Sequence, residues 1–178
     1  KVARAGGVGL NSVQAARISG AARIFAIDVK PEKLAVAEAF GATDRVNAAQ
    51  GDPVAAVRKA TRGFGVDYVF VTAGVKAAVD QAMRMVARGG AVVLVGMPPN
   101  GVLCDIDPGT IANDCVRIIG SKMGAANIHT QLPALMDLHA QGCLQLAPLI
   151  SNRFAFDEIN AAMASSMGGA AIRNVMTF

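Results

Sequence analysis

The sequence predicts an α/β protein built on a parallel sheet that helices cover on both faces. Short apolar runs rich in β-branched residues alternate with segments of helical pattern, and this alternation is typical of β-α-β units. A glycine turn near residue 6 opens the first helix, and the strand after that helix ends in a carboxylate. The 178 residues are enough for one such domain with a small appendage.

Helix-capping residues define the elements in the first part of the chain. The first strand is only a stub before the glycine turn, because the chain begins at Lys1. Pro31 suits the first turn of a helix, since its fixed φ is already helical, and Gly41 suits the C-cap. Asp52 followed by Pro53 begins another helix in the same way. The predicted elements are helices at 8–19, 31–40 and 52–62 and strands at 23–28 and 44–47.

Continuous apolar runs predict the centre of the sheet. Residues 66–72 are nearly all β-branched or aromatic, as expected of a parallel strand that is buried on both faces. Gly89–Gly90 stops the next helix, and a loop rich in Gly, Pro and Asp precedes the last strand. The predicted elements here are a helix at 75–87 and strands at 91–95 and 116–119. They complete a doubly wound, six-stranded sheet of the Rossmann type.

The character of the sequence changes after Gly120. The tail contains more elements than one such sheet needs, namely helices at 132–141 and 157–166 and extended segments at 149–154 and 172–178. We therefore expect residues 1–124 to form the main domain. Residues 125–178 are expected to form a helix and strand extension that packs on this domain and on a further, catalytic domain.

Composition argues against several classes of partner. Basic residues are scattered, the net charge is only +4 and aromatic residues are 4%, so nucleic-acid binding has little support. The chain has no apolar span of about 18 residues and no signal-peptide pattern, so we predict a cytoplasmic protein that does not bind membranes. The apolar share of 53% indicates either a surface that meets another domain or simply an alanine-rich composition.

Cysteines and histidines do not predict a metal site. Cys104, Cys115 and Cys143 lie far apart, without C-x-x-C spacing, and are expected to be buried and inert. His129 and His139 lie near no cysteine and are interpreted as surface or structural residues.

The glycine turn points most directly to function. Glycines at a helix N-terminus let a pyrophosphate approach bare backbone N–H groups, as Gly6 and Gly9 would allow. Asp28 follows Gly9 by nineteen residues, close to the spacing at which an acid accepts hydrogen bonds from the adenosine ribose. Arg4 departs from the usual G-x-G-x-x-G pattern, because it stands at the first glycine position. The pattern predicts NAD binding, since a carboxylate at Asp28 repels the 2′-phosphate of NADP.

Several stretches, taken together and in order, resemble the medium-chain, zinc-containing alcohol dehydrogenase family. They are residues 5–10, 27–33, 40–44, 89–90, 95–98 and 171–175. The resemblance spans nearly the whole chain, but only the cofactor-binding half and C-terminal return of a family member. It implies an NAD-dependent oxidoreductase that transfers a hydride between an alcohol or aldehyde and nicotinamide. It also implies that zinc and its ligands belong to an absent N-terminal domain, so we assign no catalytic and no metal-binding residue here.

The resemblance also implies a role for particular residues in binding the cofactor. The implied pyrophosphate contacts, mainly through backbone N–H groups, are Gly6, Gly7, Val8 and Gly9. The implied contacts to the adenosine ribose are Asp28 and Lys33. The residues implied along the adenine-side ribose or the nicotinamide end are Thr72 and Ala73. The residues implied to line the nicotinamide are Val95, Gly96 and Met97. Arg173 is implied to reach the pyrophosphate, since a guanidinium offers paired donors to phosphate oxygens.

Three alternatives remain open from the sequence, and one of them is a degenerate scaffold that binds nothing, because Arg4 replaces the first glycine of the motif. The zinc-independent quinone reductase branch has an A-x-x-G-x-x-G pattern that Ala3 and Gly6 echo, but it generally uses NADPH, and Asp28 argues against that cofactor. A module that senses NAD(H) without turnover is the third alternative. Family members usually form dimers or tetramers through the sixth strand, and Val116–Ile119 is apolar enough to pair with a second copy. We therefore expect a homodimer.

Overall fold

The computed structural model describes residues 2–4, 6–125, 127–169 and 171–178. The chain divides into two compact units, which we call the first unit (1–128) and the second unit (129–178). The boundary expected from the sequence, after residue 124, falls four residues earlier. The expectation that the extension packs on the main domain and on a catalytic domain stays a prediction.

A six-stranded parallel sheet forms the centre of the first unit, as predicted. Its strands are β1 (Val2–Arg4), β2 (Phe25–Asp28), β3 (Asp44–Asn47), β4 (Val66–Val71), β5 (Val86–Leu94) and β6 (Arg117–Gly120). The spatial order is β3-β2-β1-β4-β5-β6, and every neighbouring pair is parallel. The order reverses between β1 and β4, which is the topological switch point where ligands of such sheets bind.

Helices cover the sheet and confirm the doubly wound fold. In the first unit they are α1 (Gly7–Ile18), α2 (Pro31–Ala39), α3 (Pro53–Ala60), α4 (Lys76–Met85) and α5 (Pro108–Asp114). One continuous apolar cluster joins α3 and α4 to the sheet through residues such as Phe25, Val57, Met85 and Val92. Leu10 of α1 and Phe40 after α2 are fully buried outside that cluster.

The second unit is a small α/β arrangement. It contains α6 (Ile128–Ala140), which begins at the division, then β7 (Asn152–Ala155), α7 (Ile159–Met167) and β8 (Asn174–Thr177). β7 and β8 pair in parallel. Nothing among the described helices is long and apolar enough to cross a membrane.

Two predicted boundaries near the middle of the chain are wrong. The helix predicted at 75–87 ends at Met85, and Gly89–Gly90 lies inside β5 rather than before it. Between the pairs Val66–Val86 and Tyr68–Ala91 the register shifts, so β5 bulges here. Gly90 is needed at this bulge, because a Cβ there would lie 2.9 Å from the Asp67 carbonyl oxygen.

The predicted loop before the sixth strand contains the helix α5. Asp107 caps it, since its carboxylate accepts hydrogen bonds from Gly109 N (2.9 Å) and from the Thr110 hydroxyl (2.6 Å). The Thr110 hydroxyl and the Gly109 N–H together lower the pKa of Asp107 below its usual range. The prediction of buried cysteines is also wrong, because Cys115 and Cys143 are exposed and only Cys104 is partly buried.

An ion pair ties together the starts of β2 and β3, at the sheet edge opposite the switch-point ligand site. The Arg23 guanidinium donates two hydrogen bonds to the Asp44 carboxylate, one of them from Nε at 3.2 Å, and a third to the Ala60 carbonyl at the end of α3. The guanidinium also lies 4.8 Å from the centre of the Phe25 ring. The hydrogen bond from Arg23 is the main reason that the pKa of Asp44 is lowered from its ordinary value of 3.8.

We expect the Asp44→Asn variant to be less stable than the unmodified chain at neutral pH. Because the folded-state pKa of Asp44 lies below 3.8, its stabilising contribution is present above that pH and is lost as the pH falls through the lowered pKa. The gap in urea midpoint between the two proteins should therefore close below pH 3.8. Glu38→Gln, which removes the more exposed pair with Arg45, is the control and should change the midpoint little. A gap that does not vary with pH would contradict this account.

Candidate functional site

The N-terminus of α1 can accept an anion. Gly6 is the N-cap residue, with extended backbone, and its carbonyl accepts the first helical hydrogen bond from Leu10 N at 2.8 Å. Among the described residues, no side chain caps this end, and the first turn carries no acidic residue. The orphan N–H groups and the positive end of the helix dipole are therefore available to a phosphate. A Cβ at Gly6 would have no atom within 4 Å, so the approach on that side is open.

The other residues of the predicted glycine turn differ in exposure. Val8 is 54% exposed, whereas Gly9 is buried against the sheet side of the helix. Ala5 and the side chain of Arg4 lie outside the described residues. The departure of Arg4 from the glycine pattern is therefore an observation on the sequence alone. The pyrophosphate contacts of Gly6, Gly7, Val8 and Gly9 stay predictions.

Asp28 is a buried carboxylate at the carboxyl end of β2. Only 3% of the residue is exposed, and its Oδ1 accepts a hydrogen bond from Lys30 N at 3.1 Å. Its own carbonyl accepts one from Ala48 N at 3.0 Å, so the position is held from the turns after both β2 and β3. Lys33 lies in the first turn of α2 and its side chain is partly buried. Both residues therefore belong to the β2–α2 connection.

A cavity of about 340 Å³ lies where β2 and β4 end, against α4. Asp28, Thr72 and Ala73, three residues predicted from the sequence, line it together. The rest of the lining is mostly apolar, as is usual in ligand pockets, where a few polar groups orient the ligand. Its size and position at the carboxyl ends of the strands suit the adenosine half of a dinucleotide.

Further lining residues were not predicted from the sequence. They are mainly Val29, Ala48, Val75, Ala78, Gln81 and Met85. The α4 residues could have been predicted from the sequence, because positions 78, 81, 82 and 85 have the spacing of one buried helix face. The contribution of Ala48 has no such signal, since it depends on the turn after β3 folding back beside Asp28.

The backbone segments after β4 and β5 lie in direct contact. The Val71 carbonyl accepts hydrogen bonds from Val95 N (3.0 Å) and Gly96 N (2.8 Å). A Cβ at Gly96 would lie 2.6 Å from the Ala73 carbonyl carbon, and a Cβ at Gly74 would lie 2.4 Å from the Met97 carbonyl oxygen. Both positions therefore require glycine. This contact brings the predicted Thr72–Ala73 segment beside the predicted Val95–Met97 segment, in which Met97 is 74% exposed.

Arg173 lies in the second unit, just before β8. It is exposed, and its carbonyl accepts a hydrogen bond from Ser151 N at 2.8 Å. Its contact with the pyrophosphate stays a prediction.

The described side chains do not form a zinc-binding site. Across residues 2–4, 6–125, 127–169 and 171–178, no three His, Cys, Asp or Glu side chains come together as metal ligands. His139 has a structural contact instead, since its Nδ1 lies 2.8 Å from the Leu144 carbonyl oxygen.

Known proteins resemble this chain over its whole length. The family model for zinc-binding dehydrogenases matches residues 7–141. An S-(hydroxymethyl)glutathione dehydrogenase from Photobacterium damsela subsp. piscicida is 34% identical over 175 residues, which are 97% of this chain and 47% of that protein. The chain thus spans about half the length of the curated relatives it matches.

Solved structures show the same relation. An alcohol dehydrogenase zinc-binding domain protein from Burkholderia ambifaria superposes with a TM-score of 0.94 at 33% identity, covering 100% of this chain and 48% of that one. A zinc-binding dehydrogenase from Sinorhizobium meliloti 1021, solved bound to NADP, superposes with a TM-score of 0.90 at 30% identity, covering 99% and 51%. The resemblance inferred from the sequence is confirmed: this chain belongs to the zinc-binding dehydrogenase family, of which it represents the cofactor-binding part.

Proposed function

We propose that this chain binds NAD(H) across the carboxyl edge of its sheet, for an oxidoreductase that interconverts alcohols and aldehydes. The observation that carries the proposal is the buried Asp28 carboxylate in a cavity shared with Thr72 and Ala73. A carboxylate at this place suits two ribose hydroxyls, which donate hydrogen bonds, and it repels a 2′-phosphate. The backbone N–H groups at the start of α1 can donate hydrogen bonds to the pyrophosphate.

Each part of the dinucleotide has a counterpart in the proposal. The adenosine occupies the cavity beside Asp28, with Lys33 near its ribose. The pyrophosphate lies against Gly6–Gly9, and Arg173 keeps the pyrophosphate contact that the family resemblance implies. The nicotinamide lies along Val95–Met97, of which Met97 is exposed. When bound, nicotinamide supplies the hydride acceptor or donor, and the role of this chain is to orient it and to shield one of its faces from water.

The substrate and its activation lie outside the residues described here. The described side chains do not offer a zinc site, so we assign the polarisation of the substrate oxygen to a further domain of the intact protein. The names of relatives, such as the S-(hydroxymethyl)glutathione dehydrogenase and a benzyl alcohol dehydrogenase from Acinetobacter calcoaceticus, favour an alcohol or aldehyde as the substrate class. A cytoplasmic location belongs to the same proposal.

NADP(H) is the second candidate cofactor, as in the quinone reductase branch. It is favoured by the Sinorhizobium structure, which was solved with NADP at 30% identity to this chain. Asp28 favours NAD, because a 2′-phosphate beside a buried carboxylate would bring two negative charges together in a region of low dielectric. The NAD(H)-sensing module differs from the oxidoreductase only in lacking turnover, so it shares the same binding site.

Self-association through β6 is also part of the proposal. β6 is an edge strand that pairs only with β5 among the described strands, and Ile118 and Ile119 on it are 39% and 41% exposed. An exposed apolar edge strand is a template for pairing with a second copy.

We expect NADH to bind the unmodified chain more tightly than NADPH, and Asp28→Asn to remove this preference. A hydrogen bond that involves a charged group contributes about 1.5–3 kcal/mol, so the Kd for NADH should rise at least about tenfold. Nicotinamide fluorescence in a titration measures both affinities.

The matched control for this titration is Glu32→Gln, which removes one negative charge from the exposed first turn of α2 but none from the cavity. It should leave the ratio of the two affinities unchanged. The absence of any saturable signal with NADH would reject the cofactor proposal. A preference of the unmodified chain for NADPH would reject the argument from Asp28.

We expect light scattering to give twice the monomer mass for the unmodified chain and the monomer mass for Ile118→Lys. A lysine at this position places a charge on the apolar edge, and a second copy would bring two such charges together. Val102→Lys, which charges an exposed apolar residue away from β6, is the control and should leave the mass unchanged. A monomeric unmodified chain would contradict the proposed dimer.

A further inference from the structure

We propose that Lys76 and Asp105 are positioning residues that tie the connection between β5 and α5 to the start of α4. They thereby hold in place the nicotinamide wall, by which we mean Val95–Met97 and the connection that continues from it. We call residues 97–107 the β5–α5 connection. The inference rests on the proposed function, since the connection continues from Val95–Met97, the segment to which we assign the nicotinamide. It adds a pair of charged residues that lies outside the cavity and outside the glycine turn.

One end of the β5–α5 connection is held by backbone contact. Gly74, in the turn between β4 and α4, lets the Met97 carbonyl approach to a distance that a Cβ would forbid. Gly96 allows the reverse approach to Ala73. These contacts fix residues 96–97, but they do not restrain the connection beyond Pro98.

The middle of the connection is open to water. Leu103 is 81% exposed, and Gly101 has a φ of +85°, as in a turn. Val102 N donates a long hydrogen bond of 3.4 Å to the Pro99 carbonyl, which lies within the same connection. Only Cys104 packs against the main apolar cluster. A segment with so few buried contacts opens at low cost in free energy unless something else restrains it.

Lys76 supplies that restraint across the gap between α4 and the connection. Its Nζ donates to Asp80 Oδ2 at 2.8 Å, one helical turn away, and to Asp105 Oδ2 at 3.0 Å. The hydrogen bonds that Lys76 donates, first to Asp80 and then to Asp105, raise its pKa, and the ammonium is charged at neutral pH. Asp80 orients the ammonium from within the helix, while Asp105 joins it to the connection.

The two anchors therefore lie only two residues apart, Gly74 in the turn after β4 and Lys76 at the first position of α4. Gly74 contacts the near end of the connection and Lys76, two residues later, contacts its far end. Thr72, Ala73 and Val75 of this turn line the adenosine cavity. A ligand that orders the turn through the adenosine would thereby also order the wall assigned to the nicotinamide.

The chain offers a matched pair of variants for a test. Asp105→Asn and Asp80→Asn each remove one carboxylate from the same ammonium, but only Asp105→Asn releases the β5–α5 connection. Because Asp105 is 98% exposed and Lys76 is 42% exposed, the tether is a surface ion pair of modest strength. Such pairs change an equilibrium constant only about 1.5- to 5-fold.

The experiment measures hydrogen exchange of the peptide that covers 97–107 and the affinities for NADH and ADP-ribose. ADP-ribose lacks only the nicotinamide, so it reports the contacts of the adenosine, the pyrophosphate and the second ribose. We expect Asp105→Asn to speed exchange about 1.5- to 5-fold and to weaken NADH by a similar factor while ADP-ribose is unchanged. Asp80→Asn keeps the bond between Lys76 and Asp105 and should change both less than Asp105→Asn does, and Asp105→Glu should restore both.

Each result separates the tether from the cofactor proposal. Equal exchange in Asp105→Asn and Asp80→Asn would overturn the tether. Faster exchange in Asp105→Asn with an unchanged ratio of NADH to ADP-ribose affinity would overturn its role at the nicotinamide. If the unmodified chain bound neither ligand, the proposed function would be rejected. The hydrogen-exchange comparison of the two variants would still test whether Lys76 and Asp105 restrain the connection.

Discussion

The close backbone contact between the segments after β4 and β5 is the constraint on which the site depends. Parallel strands bring their carboxyl ends to one edge, but side chains would ordinarily keep the following turns apart. Gly74 and Gly96 remove that separation, so the carbonyl of Val71 can accept two N–H groups from the neighbouring segment. The adenosine cavity and the proposed nicotinamide wall thereby share one rigid junction. A methyl group at either glycine would push against main chain, which cannot yield as a flexible side chain does.

The fold was predictable because its signals are local and repeated. Proline at the first turn of α2 and α3, glycine after α2, and the unbroken apolar run of β4 each act within a few residues, and their alternation implies the parallel sheet. The errors occur where tertiary structure overrides such signals. Gly89–Gly90 has the composition of a helix stop, yet pairing with β4 draws it into β5. Asp107 and Pro108 repeat the cap found at Asp52 and Pro53, but the loop composition around them concealed a helix of seven residues.

The candidate site was predictable to a different extent. Asp28 follows from its spacing to the glycine turn, and the lining role of Thr72 and Ala73 follows from the family resemblance. Gln81 and Ala48 were missed because their places depend on how α4 and the turn after β3 lie over the strand ends. The Lys76–Asp105 pair could not be read from the sequence either, since 29 residues separate its members and only the packing of α4 beside the β5–α5 connection brings them together.

The proposed preference for NAD over NADP depends on the burial of Asp28. An exposed carboxylate would be screened by water and salt, so that a 2′-phosphate could approach it at little cost. At 3% exposure the charge is screened much less, and a ligand that enters the cavity must either donate hydrogen bonds to it or leave it beside a like charge. Ribose hydroxyls meet the first condition, and a phosphate meets the second. Selectivity at the adenosine end thus needs no contact with the reacting atoms.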